Sequence, residues 1–343
     1  QLIDGTHLYL LPGALDPQVH FRDPGLTHKE DLRTGSMAAA SGGVTSFFDM
    51  PNTKPSTITI EGMAERKRNA AEKCVVNYNF FIGATNTNLD ALNDVENVPG
   101  IKIFMGSSTG DLLVSDTKDL DNIFGNGSRL IAVHAEDDDI INAAQEIYKN
   151  STDFNHHQFV RPADAALKAT TLAVELSIKY QRRLHILHLT TLDEVRYLEI
   201  QKSKAPISAE VCPQHFLLSA PHVYQKLGAY AQMNPPIRDL QHGEALWDGL
   251  VNGVIDCIAT DHAPHTHEEK AKPFGQAPSG MPGVETSLPM LLDRTNRGLC
   301  KIEDVVKWMC EMPVELYKVK NKGYIKEGYD ADLVLVDMGK KRT

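Results

Sequence analysis

Five stretches of the chain carry side chains that bind metals or move protons. They are Gln18-Val19-His20-Phe21-Arg22-Asp23, Lys102 within Gly100–Met105, His134-Ala135-Glu136, His185-Ile186-Leu187-His188, and Asp261-His262-Ala263-Pro264-His265. Singly, each has an ordinary explanation: a histidine hydrogen-bonded at a strand end, an aspartate capping a helix. Jointly, imidazoles and a carboxylate at the same end of successive strands converge on one pocket. His with Asp suits Zn2+ and other borderline divalent ions. Lys102 is the unusual member, because a buried ammonium is costly and calls for an acidic partner or altered chemistry. The remaining polar residues near these stretches are read more plainly. His185 is three residues from His188 and is expected to point to the opposite side. His262 is expected to support the residues that touch the ion. His156 and His157 are assigned to the surface, and Glu136 with Asp137–Asp139 to an acidic helix start that suits the helix dipole.

The elements that position these residues alternate along the chain. Short, nearly all-apolar runs read as strands buried on both faces: Val44–Asp49, Val76–Ile82, Gly100–Met105, Leu130–His134, Leu184–Leu189, Ile207–Val211 and Ile255–Thr260. Helical stretches lie between them, among them Lys29–Gly42, Thr59–Lys73, Pro162–Tyr180 and Leu192–Lys202. Repeated βα units, near eight in number and without a Gly-rich phosphate loop after the first strand, favour a closed α/β barrel over an open sheet. In a (β/α)8 barrel the catalytic groups sit past the C-terminal ends of the strands, where these stretches fall. The ends of the chain differ: Leu2–Leu10 and Gly323–Val336 are β-rich, carry turn signals, and are expected to pair as a small satellite sheet.

Composition narrows the function. With 343 residues, 42% hydrophobic and 23% charged, the chain can bury a large core. A net charge of −10 argues against nucleic acid as a partner while leaving an anionic small substrate open. The five cysteines, odd in number and without a CxxC pair, read as reduced thiols of a cytoplasmic protein. No apolar run is long enough for a membrane span, and Gln1 does not open a signal peptide.

The motifs then become specific. Leu11-Pro-Gly-Ala-Leu-Asp16 with His20-Phe-Arg-Asp-Pro-Gly25, Asp49-Met-Pro-Asn-Thr53, Thr260-Asp-His-Ala-Pro-His265 and Gly328-Tyr-Asp-Ala-Asp-Leu-Val-Leu-Val336 occur in order. The chain resembles the amidohydrolase superfamily and, within it, the dihydroorotases, over essentially its whole length. The resemblance implies a (β/α)8 TIM barrel at 11–322, with 1–10 and 323–343 as parts of an accessory β-sandwich that is incomplete here. It implies two zinc ions bridged by a CO2-derived carbamate on Lys102. His20 and Asp261 would hold the first ion and His134 and His188 the second, with Asp261 also shuttling the proton. Arg22, Asn52 and His265 would grip a substrate carboxylate, with Asn234 and the backbone at Pro282-Gly283 against the ring. The implied reaction is reversible hydrolysis of dihydroorotate to carbamoyl-aspartate in pyrimidine biosynthesis. The sequence departs from the family in one place: Gln18 stands where the first His of a His-x-His pair is usual, and a neutral amide oxygen is a weak zinc ligand. Alternatives are another cyclic amidase of allantoinase or hydantoinase type, or a non-catalytic scaffold of aspartate transcarbamoylase. A homodimer and aspartate transcarbamoylase are the protein partners the resemblance suggests.

Overall fold

The computed structural model describes residues 4–106 and 112–341. Residues 1–3 of the expected terminal strand and 342–343 of the expected accessory segment lie outside the described residues. The first strand pairs across the chain ends: β1 (Tyr9–Pro12) runs antiparallel to β11 (Leu333–Val336). Residues 4–8 stay out of it, because Asp4 accepts hydrogen bonds from Thr6 and holds that stretch in a turn.

The other strands form the barrel. In order they are β2 (Ala14–Val19), β3 (Val44–Asp49), β4 (Asn77–Phe80), β5 (Ile82–Gly83), β6 (Ile101–Phe104), β7 (Ile131–His134), β8 (Leu184–Ile186), β9 (Ile207–Val211) and β10 (Cys257–Ile258). Only Phe81 separates β4 from β5, so the two act as one stave and the staves number eight among the described residues. Neighbours pair in parallel from β2 to β4 and from β5 to β10. Closure comes from a parallel bridge between Val19 and His262, where the His20 N–H donates to the His262 carbonyl at 2.7 Å. The architecture is therefore a (β/α)8 barrel.

The strand period of two separates the faces of the barrel wall. Ile101, Ile103, Ile131, Val133, Leu184, Ile186 and Ala209 point outward and pack with Leu176, Leu198, Leu246 and Leu288 of the surrounding helices. Their neighbours Leu15, Phe48, Phe81, Leu130 and Ala132 point inward and meet Tyr317, whose ring stands edge-on to Phe48 at 5.0 Å and closes the floor. Burial of each large apolar side chain stabilises by about 1.5–3 kcal/mol. The helices start where the sequence supplies caps. Asp31 begins Leu32–Ser41 and Thr191 begins Leu192–Gln201, each with a reciprocal capping box; such a cap is worth about 1 kcal/mol.

Two strands stop well short of the C-terminal ends of their apolar runs. The run Leu184–Leu189 yields only Leu184–Ile186, and Ile255–Thr260 only Cys257–Ile258. Soon afterwards the backbone turns into the left-handed region, at His188 (φ 35°) and Asp261 (φ 48°).

Candidate metal centre

The barrel brings the proposed ligands to one mouth. Gln18 lies near the end of β2 with His20 just beyond it, Lys102 lies in β6, His134 ends β7, His188 follows β8 and Asp261 follows β10. All six are buried. Arg22 (φ 62°), His188 and Asp261 all adopt left-handed backbone. That region costs a non-glycine residue roughly 1 kcal/mol or more and is tolerated where a side chain must be aimed.

The mouth has two sides. On one, His134 Nδ1 stands 3.0 Å from His188 Nε2. The far nitrogen of His134 meets Glu136 Oε2 at 2.8 Å, and Glu136 is gripped in turn by Arg161. Burial alone would raise the Glu136 carboxyl, but Arg161 and His134 overcome it and hold Glu136 firmly ionised. The carboxylate thus keeps the proton on His134 Nε2 and turns the Nδ1 lone pair toward His188. Burial lowers the pKa of both imidazoles, and at His188 the neighbouring His134 and Lys102 add to the effect, so both are neutral and ready to ligate. On the other side, Gln18 Nε2 donates to Asp261 Oδ1 at 3.0 Å, and His20 Nε2 lies 2.9 Å from the same oxygen. His20 Nδ1 is 2.7 Å from Asn52 Oδ1 and donates to it. Two lone-pair atoms, His20 Nε2 and Asp261 Oδ1, then face each other and need a cation between them.

Lys102 lies against both sides electrostatically, acting on His134 and His188 and feeling Asp261. Its Nζ has no hydrogen-bond partner among the described residues and sits 4.5 Å from the centre of the Phe104 ring. Burial pulls its pKa down to about 7, against the opposing pull of Asp261 and Glu210. Gln18 Oε1 is also buried without a partner among the described residues. Orphaned buried donors and acceptors are rare unless something binds them. Two nitrogens on one tetrahedral zinc at about 2.1 Å each stand roughly 3.4 Å apart, close to the 3.0 Å between His134 and His188. The residues fit a metal centre, and Gln18 is its weakest donor.

The expected substrate grip lies beside it. Arg22 is buried, donating from Nε to the Pro264 carbonyl and from Nη2 to His265 Nε2, both at 3.2 Å. His265 Nδ1 faces Glu269 at 3.2 Å, and burial together with Arg22 and Lys29 pulls this imidazole down to about 4. Asn234 meets His157 at 3.1 Å. His262 Nδ1 accepts from the Gly283 and Val284 N–H groups, and its Nε2 meets Glu30 at 2.8 Å, so it fixes the Pro282-Gly283 backbone.

Three sequence readings change. Glu136 is not part of an exposed helix start: Asp137 caps that helix, and Glu136 is buried behind His134. His157 is not on the surface. It is buried, contacting the Met233 carbonyl and Asn234, because the short helix His157–Val160 packs under that loop. His185 is kept apart from His188, but by depth: it points into the barrel below the mouth, while the left-handed turn at His188 brings the second ring inward too. His215 was missed altogether. It follows β9 on the helix Pro213–Leu217, donates from Nε2 to the Pro235 carbonyl at 3.0 Å, and leaves a buried, bare Nδ1. Its place just past a strand end was the signal available.

The amidohydrolase family matches residues 9–118 and 126–343. The dihydroorotase of Methanosarcina acetivorans is 35% identical over 98% of this chain and 74% of its own length. That of Halobacterium salinarum is 37% identical over 96% of this chain and 76% of its own. Among solved structures, the L-hydantoinase (dihydropyrimidinase) of Arthrobacter aurescens superimposes with a TM-score of 0.92 at 30% identity, covering 96% of this chain and 76% of that one.

Proposed function

The chain belongs to the amidohydrolase family, and from that premise we propose that it is a dihydroorotase, interconverting dihydroorotate and carbamoyl-aspartate. The observation that carries this reading is the buried Arg22 held against His265, a fixed cation two residues from His20, which Asn52 in turn contacts. A substrate with a free carboxylate neutralises such a cation, in a two-point pairing that also orients the ring.

Lys102, held as a readily deprotonated amine, would take up CO2 as a carbamate, releasing a proton, and serve as an anionic ligand. Zinc is the expected metal, held on one side by Lys102, His134 and His188, and more weakly on the other by His20 and Asp261, because Gln18 replaces an imidazole. Bound metal would polarise the ring carbonyl and make water acidic enough to attack near neutral pH. The protein residues do the rest. Arg22 and Asn52 hold the substrate carboxylate, and neutral His265 orients the Arg22 guanidinium. Asp261 accepts the proton of the attacking water and delivers it to the ring nitrogen as the C–N bond breaks; in ring closure it works in reverse. The barrel takes up the chain between the accessory strands β1 and β11, and β1 runs to Pro12, two residues past the expected boundary at 10.

A hydantoinase-type cyclic amidase is the second reading, favoured by the structural likeness to the L-hydantoinase. Ring opening of dihydroorotate, allantoin and a hydantoin, each followed directly, separates them. Turnover of dihydroorotate alone is expected, and Arg22→Met is expected to raise KM at least tenfold. Preference for an uncharged ring, or an unchanged KM, overturns the carboxylate grip.

A further inference from the structure

A second set of ligand-type side chains lies inside the barrel, below the mouth. His185 on β8, Glu210 on β9 and Cys257 on β10 each offer one ligand atom, and these atoms all lie within 4.8 Å of one another. All three are fully buried, and Glu210 Oε1 has no hydrogen-bond partner among the described residues. Tyr317, the floor of the barrel, packs its ring 5.6 Å from that of His185, and its own hydroxyl is equally unpartnered. None of these groups is assigned a step at the mouth; Glu210 acts there only through its charge on Lys102.

The hydrogen bonds say what is missing. Ser208 Oγ donates its single proton to the Leu184 carbonyl at 3.2 Å. With that proton spent, the hydroxyl oxygen can accept from His185 Nδ1, 2.8 Å away, an arrangement that places the imidazole proton on that nitrogen. His185 Nε2 is then a lone pair, yet it faces Glu210 Oε2 at 3.0 Å. A nitrogen lone pair and a carboxylate oxygen repel unless a cation lies between them. The cation is either an additional proton or a metal ion, and the Cys257 sulfur alongside favours a metal.

We propose that His185, Glu210 and Cys257 form a cation site in the barrel interior, distinct from the mouth, for one borderline divalent ion of the zinc class. Imidazole nitrogen, carboxylate oxygen and thiolate sulfur are the donor set such ions take, and Glu210 Oε1 can serve as a further donor. The exchange balances. The unloaded cluster carries the proton shared by His185 and Glu210 and the thiol proton of Cys257. Binding one divalent ion releases both, and the charge of the cluster is unchanged. Burial, with Glu210 and Asp256 nearby, keeps Cys257 a thiol in the unloaded state, so it is the ion that generates the thiolate.

The test is titration of the chelator-stripped, full-length chain with Cd2+ alone, reading the ultraviolet thiolate-to-cadmium absorption and the bound cadmium per chain. The wild type is expected to develop one thiolate band. Cys257→Ser should abolish that band and lower the bound cadmium by one ion per chain. Cys212→Ser, which removes a different buried thiol, should keep both. His185→Gln should weaken the cadmium that gives the band at least tenfold with the thiol intact. No band in the wild type, or the same band and stoichiometry in Cys257→Ser, overturns the site. If the variants do not fold, anomalous scattering from cadmium-soaked wild-type crystals decides: a peak among the three side chains supports the site, and a water or nothing there overturns it.

Discussion

On one side of the mouth, His134 and His188 face each other across 3.0 Å with Glu136 and Arg161 braced behind them. On the other, Gln18 and His20 converge on a single oxygen of Asp261. The first side is held from outside: a buried ion pair fixes the tautomer and leaves the ligand nitrogens pointing at each other. The second is partly closed on itself, because the Gln18 amide already occupies the carboxylate that would hold an ion and move a proton. Pre-organisation differs accordingly. A ligand that is oriented by its neighbours binds metal without rearrangement, whereas Asp261 must first give up a hydrogen bond.

The sharpest way to break the comparison is at Asp261, the one residue assigned both to a metal and to the proton. Asp261→Asn keeps the shape and the capacity to bond Gln18 but cannot carry the proton. Turnover is expected to fall by about 10²–10⁴, while substrate affinity, measured by calorimetry, stays within a few-fold. Near-normal turnover would remove Asp261 from proton transfer and leave it a ligand only.

Next is Glu136. Glu136→Gln removes the charge that balances Arg161 and lets the His134 tautomer relax. Metal affinity, measured by chelator competition, is expected to drop roughly 10–100-fold. The melting temperature should fall as well, since breaking a buried ion pair typically costs about 3–5 kcal/mol. A lower melting temperature with unchanged metal affinity would make Glu136 a fold residue with no part in aiming His134.

Why Glu136 escaped the sequence reading explains what a sequence can carry. Strands showed themselves because both faces are buried: Val44–Asp49 and Ile207–Val211, short runs that open on a β-branched residue, are buried almost throughout and match β3 and β9 residue for residue. Lys102 was legible for the opposite reason, as one charge in an apolar run. The proposed ligand positions, which the structure brings to one mouth, came from residue type at strand ends together with family resemblance. Glu136 looked like helix-start acidity because it precedes three aspartates, and nothing local says that Arg161, 25 residues on, folds back to neutralise it. His157 was hidden in the same way by the Met233-Asn234 loop. The interior trio His185, Glu210 and Cys257 depends on strand register, with Glu210 opposite Cys257 and His185 opposite Ser208. Register is a through-space fact that residue spacing does not contain.

The smallest expected effect is also the most direct test of the asymmetry. Gln18→His replaces an amide that donates to Asp261 with an imidazole whose lone pair can ligate. If the Gln18 side is the weak one, the variant should retain more metal after dialysis, approaching one further zinc per chain at the mouth, with an affinity gain of about tenfold, or ~1.4 kcal/mol. The His134–His188 side should be unaffected, because Glu136 and Arg161 set its geometry independently. Metal analysis must be done in a Cys257→Ser background, so that any ion in the barrel interior does not enter the count. Unchanged retention would mean that the Gln18–Asp261 hydrogen bond is not what limits the first side, and that His20 with Asp261 already holds its ion as firmly as the braced pair opposite.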